Sequence, residues 1–259
     1  MSTAVISDMH GNAIALEAVL DHIEARGDVE RIVCIGDIVG YGPQPIECVD
    51  LVEEKCEWSL LGNHDFAVLY EPTNFNPLAE ASAYWTREQF DNVEDTALRE
   101  KRYRFLGRLQ VRRQETLGGG RKVLAIHGSP RKPINEYVFP QDVISAQEKI
   151  RSLFELVEDI AICGHTHVPG VFTDEPDFYP PDEVGQDKVY KFMEGERAII
   201  NVGSVGQPRD HDPRASYAVL YDDRVEFHRV EYDIDAVANM IYTIPELGDW
   251  LGERLFEGR

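Results

Sequence analysis

The sequence predicts an α/β fold that forms a single domain over residues 1–259. Six short segments rich in Val, Ile or Leu recur along the chain, and stretches with helical periodicity lie between several of them. Continuous apolar strands are typical of a sheet covered on both faces, and strands that alternate with helices indicate an α/β architecture. Near the C-terminus, two segments with alternating apolar and polar residues indicate an antiparallel hairpin. One domain with two sheets is the simplest account of this pattern.

Strands are predicted at the six apolar segments, which read TAVIS, RIVCIG, WSLLG, KVLAIHG, IAICG and RAIINVG. Helices are predicted for NAIALEAVLDHIEAR, PIECVDLVEEKC, LAEASAYWTREQF, VEDTALREKRYRFLGRL and DVISAQEKIRSLFELV. Pro45 suits the first turn of the second of these helices. The hairpin joins ASYAVLYDD to RVEFHRVEYD through an Asp-Asp turn. Residues 172–197 are acidic, contain prolines and predict a loop or an edge hairpin, with one candidate strand at KVYKFM.

The composition disfavours some classes of function. The chain has 259 residues, 43% of them hydrophobic, which is enough for a substantial core. Its 26 Lys and Arg residues against 47 Asp and Glu residues give a net charge of −21. Such a surface repels polyanions, so a DNA- or RNA-coating role is disfavoured. Residues 99–132 are an exception, with eleven basic and two acidic residues. This segment is either a solvated face or a positive rim that attracts an anionic small molecule.

The cysteines and the N-terminal segment predict a cytoplasmic location. The four cysteines include no CxxC pair, and Cys34 and Cys163 fall inside apolar strands, which suits a reducing compartment. The N-terminal segment MSTAVISDMHGN lacks the basic start and the long apolar run of a signal peptide. No stretch approaches the roughly 18 apolar residues of a membrane span. We therefore expect no membrane partner.

Polar side chains follow the ends of five predicted strands, which is where ligands bind in open α/β sheets. Imidazole, carboxylate and amide ligands without thiolate suit Mn, Fe or Zn. From extended backbone, the i and i+2 spacing of His165 and His167 would point both imidazoles the same way, toward one centre or two adjacent ones. Glycines at 36, 62, 128 and 164 permit sharp turns beside the ligands. The strand-end residues are Asp8, His10, Asp37, Asn63, His64, Asp65, His127, His165 and His167.

Each of these motifs has a simpler interpretation when taken alone. The D-x-H at residues 8–10 is typical of a polar turn, GNHD could cap a helix, and HTH could lie in a loop. Five such motifs at five strand ends are hard to reconcile with a solvated rim, and together they favour a functional site. Ser129 follows the fourth of these strands, but no base–acid relay in the sequence supports a serine hydrolase.

The ordered motifs D-x-H, G-D, G-N-H-D, H-G and G-H-T-H resemble those of the calcineurin-like metallophosphoesterase family, and NVGSVGQPRD resembles a segment of its smaller bacterial members. The resemblance implies a four-layer αββα sandwich of two mixed β-sheets flanked by helices. It also implies two metal ions, divalent or trivalent (Mn, Fe or Zn), bridged by Asp37. One ion would be held by Asp8, His10 and His167, and the other by Asn63, His127 and His165. His64 would be the catalytic residue outside the ligand set, placed to bind the phosphate or protonate the leaving group.

The resemblance is incomplete at two positions that bear on the substrate. The Ser/Thr protein phosphatases of this family carry G-D-x-x-D-R-G, whereas this chain reads GDIVGYG. Gly40 stands where those enzymes have the Asp paired with the catalytic histidine, and Tyr41 stands where they have a phosphate-binding Arg. The partner of His64 is therefore unassigned. The candidate substrate-binding residues are Asn12, Tyr41, Arg209 and Arg214, although the two arginines would alternatively pair with Asp210 and Asp212 at the surface.

The expected function is hydrolysis of a small phosphorylated metabolite, either a nucleotide phosphodiester or a dinucleoside polyphosphate, by a hydroxide that bridges two metal ions. A Ser/Thr protein phosphatase and a non-catalytic scaffold with this fold are the alternatives. All seven ligand positions and His64 carry competent residue types, which argues against the scaffold. The expected partner is a small-molecule phosphoester and not a polymeric nucleic acid. The sequence leaves the oligomeric state open, with a homodimer as one alternative.

Overall fold

Two six-stranded sheets form the centre of the molecule, and the computed structural model describes residues 2–259. Numbered along the chain, the strands are β1 (Thr3–Ile6), β2 (Arg31–Cys34), β3 (Trp58–Ser59), β4 (Arg112–Thr116), β5 (Lys122–Ile126), β6 (Ile160–Cys163), β7 (Gly170–Thr173), β8 (Asp177–Tyr179), β9 (Val189–Lys191), β10 (Ala198–Asn201), β11 (Ala215–Leu220) and β12 (Arg224–Val230). The strand order is β3-β2-β1-β11-β12-β9 in the first sheet and β4-β5-β6-β10-β7-β8 in the second.

Helices connect many of these strands and cover the outer faces of the sheets. They are α1 (Ala13–Arg26), α2 (Pro45–Lys55), α3 (Asn63–Leu69), α4 (Pro77–Asp91), α5 (Thr96–Leu106), α6 (Asp142–Ser145), α7 (Gln147–Phe154), α8 (Ile234–Tyr242) and α9 (Asp249–Glu257). Pro45 occupies the first turn of α2, as the sequence predicts. A short 3₁₀ helix spans Gln186–Lys188.

Each sheet contains three neighbouring parallel strands. In the first sheet β1, β2 and β3 are parallel, and in the second β5, β6 and β10 are parallel. The remaining pairings are antiparallel, including the predicted hairpin of β11 and β12. Because parallel strands end at the same edge of a sheet, each sheet brings three carboxyl ends together. This topology positions the site described below.

Successive side chains of a strand point to opposite faces of its sheet, and this alternation divides the core into layers. Val5 of β1 and Ile160 of β6 lie in one apolar cluster between the two sheets. Ile6 belongs to a second cluster with residues of α1 and α2, and Cys163 belongs to a third with residues of α7. Helices therefore cover one face of each sheet while the other faces pack together. The predicted α/β fold, a four-layer αββα sandwich of two mixed sheets, is confirmed.

Two elements in the middle of the chain differ from the sequence prediction. The helix predicted for residues 142–157 is broken at Ala146, whose φ of −143° and ψ of 48° are not helical, so α6 and α7 are separate. Strand β4 is absent from the prediction because its sequence, RRQET, contains no apolar residue. It lies at the edge of the second sheet, where an exposed strand needs no apolar face. Residues 172–197 contain strand β8, paired in a hairpin with β7, and strand β9.

Three helices are also absent from the prediction. Helix α3 begins in the GNHD motif, where Oδ2 of Asp65 accepts a hydrogen bond from the Gly62 N–H at 2.9 Å. Helices α8 and α9 pack against each other and against Tyr41, which follows β2. Their buried apolar residues are spaced by four, at Val237 and Ile241 and at Leu251 and Leu255, so the sequence carried the signal. Among the helices of residues 2–259, none has the length and apolar character needed to cross a bilayer.

Candidate metal centre

The segments that follow the parallel strands converge on one buried cluster of polar side chains. Main-chain hydrogen bonds join segments from different strands, for example from Val205 N to Ser7 O at 3.0 Å. All seven side chains predicted as metal ligands are at most 8% exposed. The structure brings them together from five strand ends: Asp8, His10, Asp37, Asn63, His127, His165 and His167.

Two carboxylates occupy the middle of the cluster. Oδ1 of Asp8 lies 3.0 Å from Nε2 of His167 and 3.8 Å from Nε2 of His10. Oδ2 of Asp37 lies 3.2 Å from Nε2 of His127 and 3.7 Å from Nε2 of His10. The other oxygen of each carboxylate accepts a main-chain N–H, at 3.1 Å for Asp8 and 2.8 Å for Asp37. One oxygen thus anchors each side chain, and the other faces the imidazoles.

Main-chain carbonyls determine which nitrogen of two histidines faces the cluster. Nδ1 of His127 donates to the carbonyl of Ile35 at 3.1 Å, and Nδ1 of His167 donates to the carbonyl of Gln207 at 2.6 Å. A carbonyl only accepts hydrogen bonds, so Nδ1 carries the proton of the neutral imidazole and Nε2 keeps a lone pair for the cluster. Metal-ligating histidines are usually held in this way.

The backbone at the cluster is strained. Five of the seven predicted ligands have a φ between 49° and 66°, a conformation that costs about 1–3 kcal/mol per residue and persists mainly at functional sites. The prediction that His165 and His167 lie on extended backbone is therefore wrong. Left-handed turns instead direct His165 toward His127, with ring centroids 5.0 Å apart, and His167 toward Asp8. The two imidazoles therefore lie in opposite halves of the cluster.

Two glycines allow the segments to approach each other closely. A Cβ atom on Gly62 would lie 2.0 Å from Oδ1 of Asp37, and one on Gly164 would lie 2.4 Å from Oδ2 of Asp8. Any side chain at either position would displace a central carboxylate. Glycine is thus required at both positions because a Cβ atom has no room there, and not because the backbone has a left-handed φ.

Burial and mutual attraction shift the pKa values in the cluster in opposite directions. Burial raises the pKa of Asp8 and Asp37, but the neighbouring histidines outweigh this effect and hold both carboxyls below their ordinary pKa. Burial lowers the pKa of His127, but Asp37 and Asp8 outweigh it and raise that pKa to about 9. At His165 burial prevails and lowers the pKa to about 3. His127 is therefore cationic at neutral pH in the metal-free protein.

The donor atoms of the cluster form groups that could hold metal. One group with ligand atoms within 4.8 Å of one another contains Asp8, His10 and His167, and another contains Asp37, His127 and His165. Within residues 2–259, Oδ1 of Asp8 and Nε2 of His165 are buried without a hydrogen-bond partner, which is unusual for buried polar atoms. Nitrogen and oxygen donors of this kind suit Mn, Fe or Zn. The residues can therefore hold the metals, and metal occupancy stays a prediction.

His64 lies at the edge of the cluster and is buried. A ring nitrogen of His64 is within 4.8 Å of ligand atoms of His10 and Asp37. A Cβ atom on Gly40 would lie 2.5 Å from Nδ1 of His64, so the residue next to this nitrogen has no side chain to orient the ring. Within the described chain Nδ1 has no hydrogen-bond partner. Burial, reinforced by the charge of Arg209, lowers the pKa of His64 to about 4, so the imidazole is neutral at pH 7.

Two residues that were assigned neither a ligand nor a catalytic role from the sequence hold the segments of the cluster in place. Nδ2 of Asn201, at the end of β10, donates to the carbonyl of Gly164 at 2.7 Å. The buried carboxyl of Asp65 accepts the main-chain N–H groups of Ile38 and Gly62, both at 2.9 Å. Asp65 thereby joins the segments that carry Asp37 and Asn63. The GNHD motif contained a signal for Asp65, and Asn201 is the first residue of the NVGSVGQPRD segment, but neither residue was expected to hold the turns of the cluster together.

Aromatic rings lie against two histidines of the site. Tyr41 lies beside His64, with ring centroids 4.4 Å apart, and Phe75 lies on the same imidazole at 4.7 Å. Tyr137 stacks on His165 at 3.8 Å, with the ring planes 14° apart. Phe75 and Tyr137 come from loops without a recognisable motif, so the sequence offered no signal for them.

Two of the four predicted substrate-binding residues make other contacts. Oδ1 of Asn12 accepts the N–H of Ala15 at the start of α1, and Nδ2 donates to the carbonyl of Gly206, both at 3.0 Å. Arg214 pairs with Asp212 at 2.6 Å, as in the alternative interpretation. Contact of Asn12 or Arg214 with a substrate stays a prediction.

The positive charge of Arg209 acts on two histidines of the site. Burial is the largest cause that lowers the pKa of His167, and the positive charge of Arg209 is the second. The same charge also lowers the pKa of His64. Asp210, the acid expected to neutralise Arg209, pairs with Arg229. Within residues 2–259 no Asp or Glu forms an ion pair with Arg209, so its positive charge is available to the site.

The basic segment at residues 99–132 forms α5, β4 and β5. Its cations include Arg102, which pairs with Asp50 at 2.6 Å, and Lys101, which pairs with Glu53 at 2.8 Å. Contacts of this kind with acids of α2 favour the solvated face over the positive rim.

Comparisons with known proteins agree with this geometry. The sequence model of the Calcineurin-like phosphoesterase superfamily domain matches residues 1–224. The chain is 38% identical to the uncharacterized protein MJ0912 of Methanocaldococcus jannaschii, over 99% of this chain and 98% of that protein. A metallophosphoesterase of Sphaerobacter thermophilus with a crystal structure is 36% identical, with a TM-score of 0.80 over 100% of this chain and 99% of the other. The symmetrical bis(5′-nucleosyl)-tetraphosphatase of Erwinia tasmaniensis is 34% identical over 71 residues, which are 27% of this chain and 26% of that enzyme.

We predict that metal binding at His127 releases a proton. A metal needs the neutral imidazole, whereas the raised pKa of about 9 keeps His127 protonated at lower pH. The affinity for Mn²⁺ at this position should therefore rise about tenfold per pH unit up to about pH 9 and then level off. Calorimetry at about pH 7.5 in two buffers of different ionisation enthalpy should detect about one proton released. The variant His228→Gln, whose substitution lies outside the cluster, should release the same number of protons as the wild-type protein. Release of no proton by the wild-type protein would contradict the role of His127.

Proposed function

The chain belongs to the calcineurin-like phosphoesterase superfamily, and we propose that it is a metal-dependent hydrolase of a small phosphorylated metabolite. The substrate would be a nucleotide phosphodiester or a dinucleoside polyphosphate. The observation that carries the proposal is the position of Asp37 between two ligand groups. Its Oδ2 lies 3.7 Å from Nε2 of His10 in one group and 3.2 Å from Nε2 of His127 in the other. A single carboxylate placed in this way suits a bridge between two ions.

The chain would hold two ions of Mn, Fe or Zn. When bound, the ions would activate a water molecule for attack on phosphorus and neutralise the phosphoryl oxygens. The protein keeps the donors fixed, because main-chain groups hold one oxygen of Asp8 and the Nδ1 atoms of His127 and His167. Burial of the cluster also strengthens its electrostatic interactions with a substrate. The first ion would bind Asp8, His10 and His167, the second would bind Asn63, His127 and His165, and both would bind Asp37.

The choice of a small anionic substrate rests on charge. Arg209 supplies positive charge beside the cluster, which suits a phosphate group. The net charge of −21 opposes the approach of a nucleic-acid polymer. Similarity over 71 residues to a bis(5′-nucleosyl)-tetraphosphatase supports a nucleotide substrate. The partner is thus a small-molecule phosphoester.

The two alternative functions account less well for the site. A Ser/Thr protein phosphatase of this family would need an acid at position 40 and an arginine at position 41, where this chain has Gly40 and Tyr41. A scaffold would have no use for a buried set of metal-competent ligands with unpartnered donor atoms such as Oδ1 of Asp8. We therefore favour the hydrolase.

We also propose that the enzyme acts in the cytoplasm. All four cysteines are free thiols, and three of them, Cys34, Cys48 and Cys163, are buried. Burial raises the pKa of each of these thiols, which keeps them unreactive. Unpaired cysteines of this kind suit a reducing compartment.

Turnover of bis(p-nitrophenyl) phosphate tests the proposed function. We expect hydrolysis with Mn²⁺, its loss after treatment with a chelator, and its recovery when Mn²⁺ is restored. Asp37→Asn should be nearly inactive because it removes the negative charge that both ions would share. His22→Gln, which lies outside the cluster, serves as the control. Wild-type protein that binds Mn²⁺ but hydrolyses neither this diester nor a panel of nucleotides would contradict the hydrolase and favour the scaffold.

His64→Ala tests the role of His64 as the general acid. The variant should retain its metals and lose kcat by roughly 10²–10⁴-fold on an alkyl ester. The low pKa of about 4 does not exclude this role, because the negative charge of a bound phosphoryl group opposes the shift. The loss should be smaller for a p-nitrophenyl ester, whose leaving group needs no proton. Equal losses on both esters would rule out the acid role.

A further inference from the structure

Two aromatic rings stack in succession on the predicted metal ligand His165. The ring of Tyr137 lies 3.8 Å from the imidazole, between ring centroids, with the two planes 14° apart. The ring of Phe139 stacks in turn on Tyr137 at 5.1 Å, with planes only 9° apart. His165 is 4% exposed, whereas Tyr137 is 39% and Phe139 37% exposed. The three rings thus form a stack that runs from a buried ligand to the surface, and its two outer members are called the aromatic pair below.

The fold fixes the backbone of the aromatic pair. Val138, between the two rings in sequence, is buried in the apolar cluster that contains residues of α7. Nζ of Lys149 on α7 donates to the carbonyl of Tyr137 at 2.7 Å, and Oδ2 of Asp142 accepts the N–H of Phe139 at 2.8 Å. Lys149 and Asp142 also form an ion pair at 2.6 Å. One buried side chain and one ion pair therefore hold both aromatic residues.

The same loop is fastened to the end of β5, which carries the predicted ligand His127. The carbonyl of Pro133 accepts the N–H groups of His127 and Gly128, at 3.1 Å and 2.6 Å. Oε2 of Glu136, the residue before the aromatic pair, accepts the hydroxyl of Ser129 at 2.5 Å. The pair is thus fixed relative to the metal ligands. A ligand that binds a surface held in this way loses little free energy to ordering the protein.

The arrangement of the rings indicates what would cover them. Exposed apolar surface that the fold holds in one position is typical of an interaction site. Parallel aromatic rings suit a further planar ring, which would stack on them in the same orientation. The exposed rings of Phe66 and Tyr70, by contrast, are tilted by 41° to each other. Because the stack begins on a predicted metal ligand, the matching occupant is a planar group attached to the phosphoester.

We propose that Tyr137 and Phe139 bind the base of a nucleotide substrate by stacking, while a phosphate of the same molecule occupies the metal cluster. This inference rests on the proposed function and narrows its substrate class to nucleotides. A phosphoester without a planar ring gains nothing from the aromatic pair. Every nucleobase has an aromatic face, so the pair favours nucleotides over other phosphoesters without selecting one base. The two residues determine specificity through substrate binding and do not contact the phosphorus.

Binding of AMP and of ribose 5-phosphate to the Mn²⁺-loaded protein tests the inference, because the two compounds share the phosphate and the ribose and differ in the base. In calorimetry AMP should bind about tenfold or more tightly than ribose 5-phosphate. The ultraviolet absorbance of adenine should fall on binding, as it does when a base stacks. A role of the pair in structure alone would produce neither effect.

Phe139→Leu tests the aromatic pair itself, because it keeps an apolar side chain, removes the ring and leaves the contacts of His165 unchanged. The preference for AMP should fall about fivefold or more, while the affinity for ribose 5-phosphate should stay the same. Phe139→Trp restores an aromatic face and should keep the preference. Phe256→Leu, which removes an exposed ring on α9, is the matched control and should also keep it.

The possible outcomes separate this inference from its alternatives. Equal affinity of the wild-type protein for the two compounds, no binding of AMP, or an unchanged preference in Phe139→Leu would overturn it. A second copy of the chain is the other candidate occupant. If light scattering shows that Phe139→Leu converts a wild-type dimer to a monomer while the affinity for AMP is unchanged, the pair is an interface between copies and the inference fails.

The proposed function fails in a different way. Wild-type protein that prefers AMP to ribose 5-phosphate but hydrolyses no phosphoester would refute the hydrolase and support the base site. Hydrolysis by a wild-type protein that binds the two compounds equally would support the hydrolase and refute the base site.

Discussion

The close approach of two buried carboxylates is the constraint on which the rest of the site depends. Asp8 and Asp37 are buried within a few ångströms of the same imidazoles, and both are held below their ordinary pKa. Two negative charges in this environment need positive charge nearby. In the metal-free protein His127 provides it as a cation. Divalent ions would provide more, and the unpartnered donor atoms of the cluster are oriented to receive them.

The fold supplies the rigidity that this arrangement requires. Six parallel strands end at the cluster, and the apolar layer between the two sheets fixes the positions of those ends. The segments beyond them adopt left-handed turns at Asp8, Asp37 and His165, which are unfavourable in isolation. Contacts such as those of Asn201 and Asp65 hold the turns in place. Five of the predicted ligands thus carry backbone strain, although residues outside the ligand set such as Tyr41 and His211 also have a positive φ.

The sequence predicted the strands, the fold class and the residues of the cluster because these depend on local patterns. A short apolar run followed by a polar group is visible in Asp8 and in His127 without knowledge of the fold. The edge strand β4 was missed because its polar sequence lacks that pattern. The turns at His165 and His167 were mistaken for extended backbone because the cost of a positive φ is offset only by contacts that are distant in sequence.

The similarity to known phosphoesterases and the geometry support different parts of the account. The match over residues 1–224 assigns the family, and the distances around Asp37 give the reason to expect two ions. We propose that the choice of substrate depends on groups outside the cluster, such as Tyr41 and Arg209.

Anomalous diffraction from a crystal of the Mn²⁺-loaded protein, recorded on both sides of the manganese absorption edge, tests the central claim most directly. The account predicts two anomalous peaks, one within about 2.0–2.6 Å of donor atoms of Asp8, His10 and His167 and the other at the same range from Asn63, His127 and His165. A carboxylate oxygen of Asp37 should lie between the peaks. A single peak, or two peaks that do not share Asp37, would contradict the two-metal site.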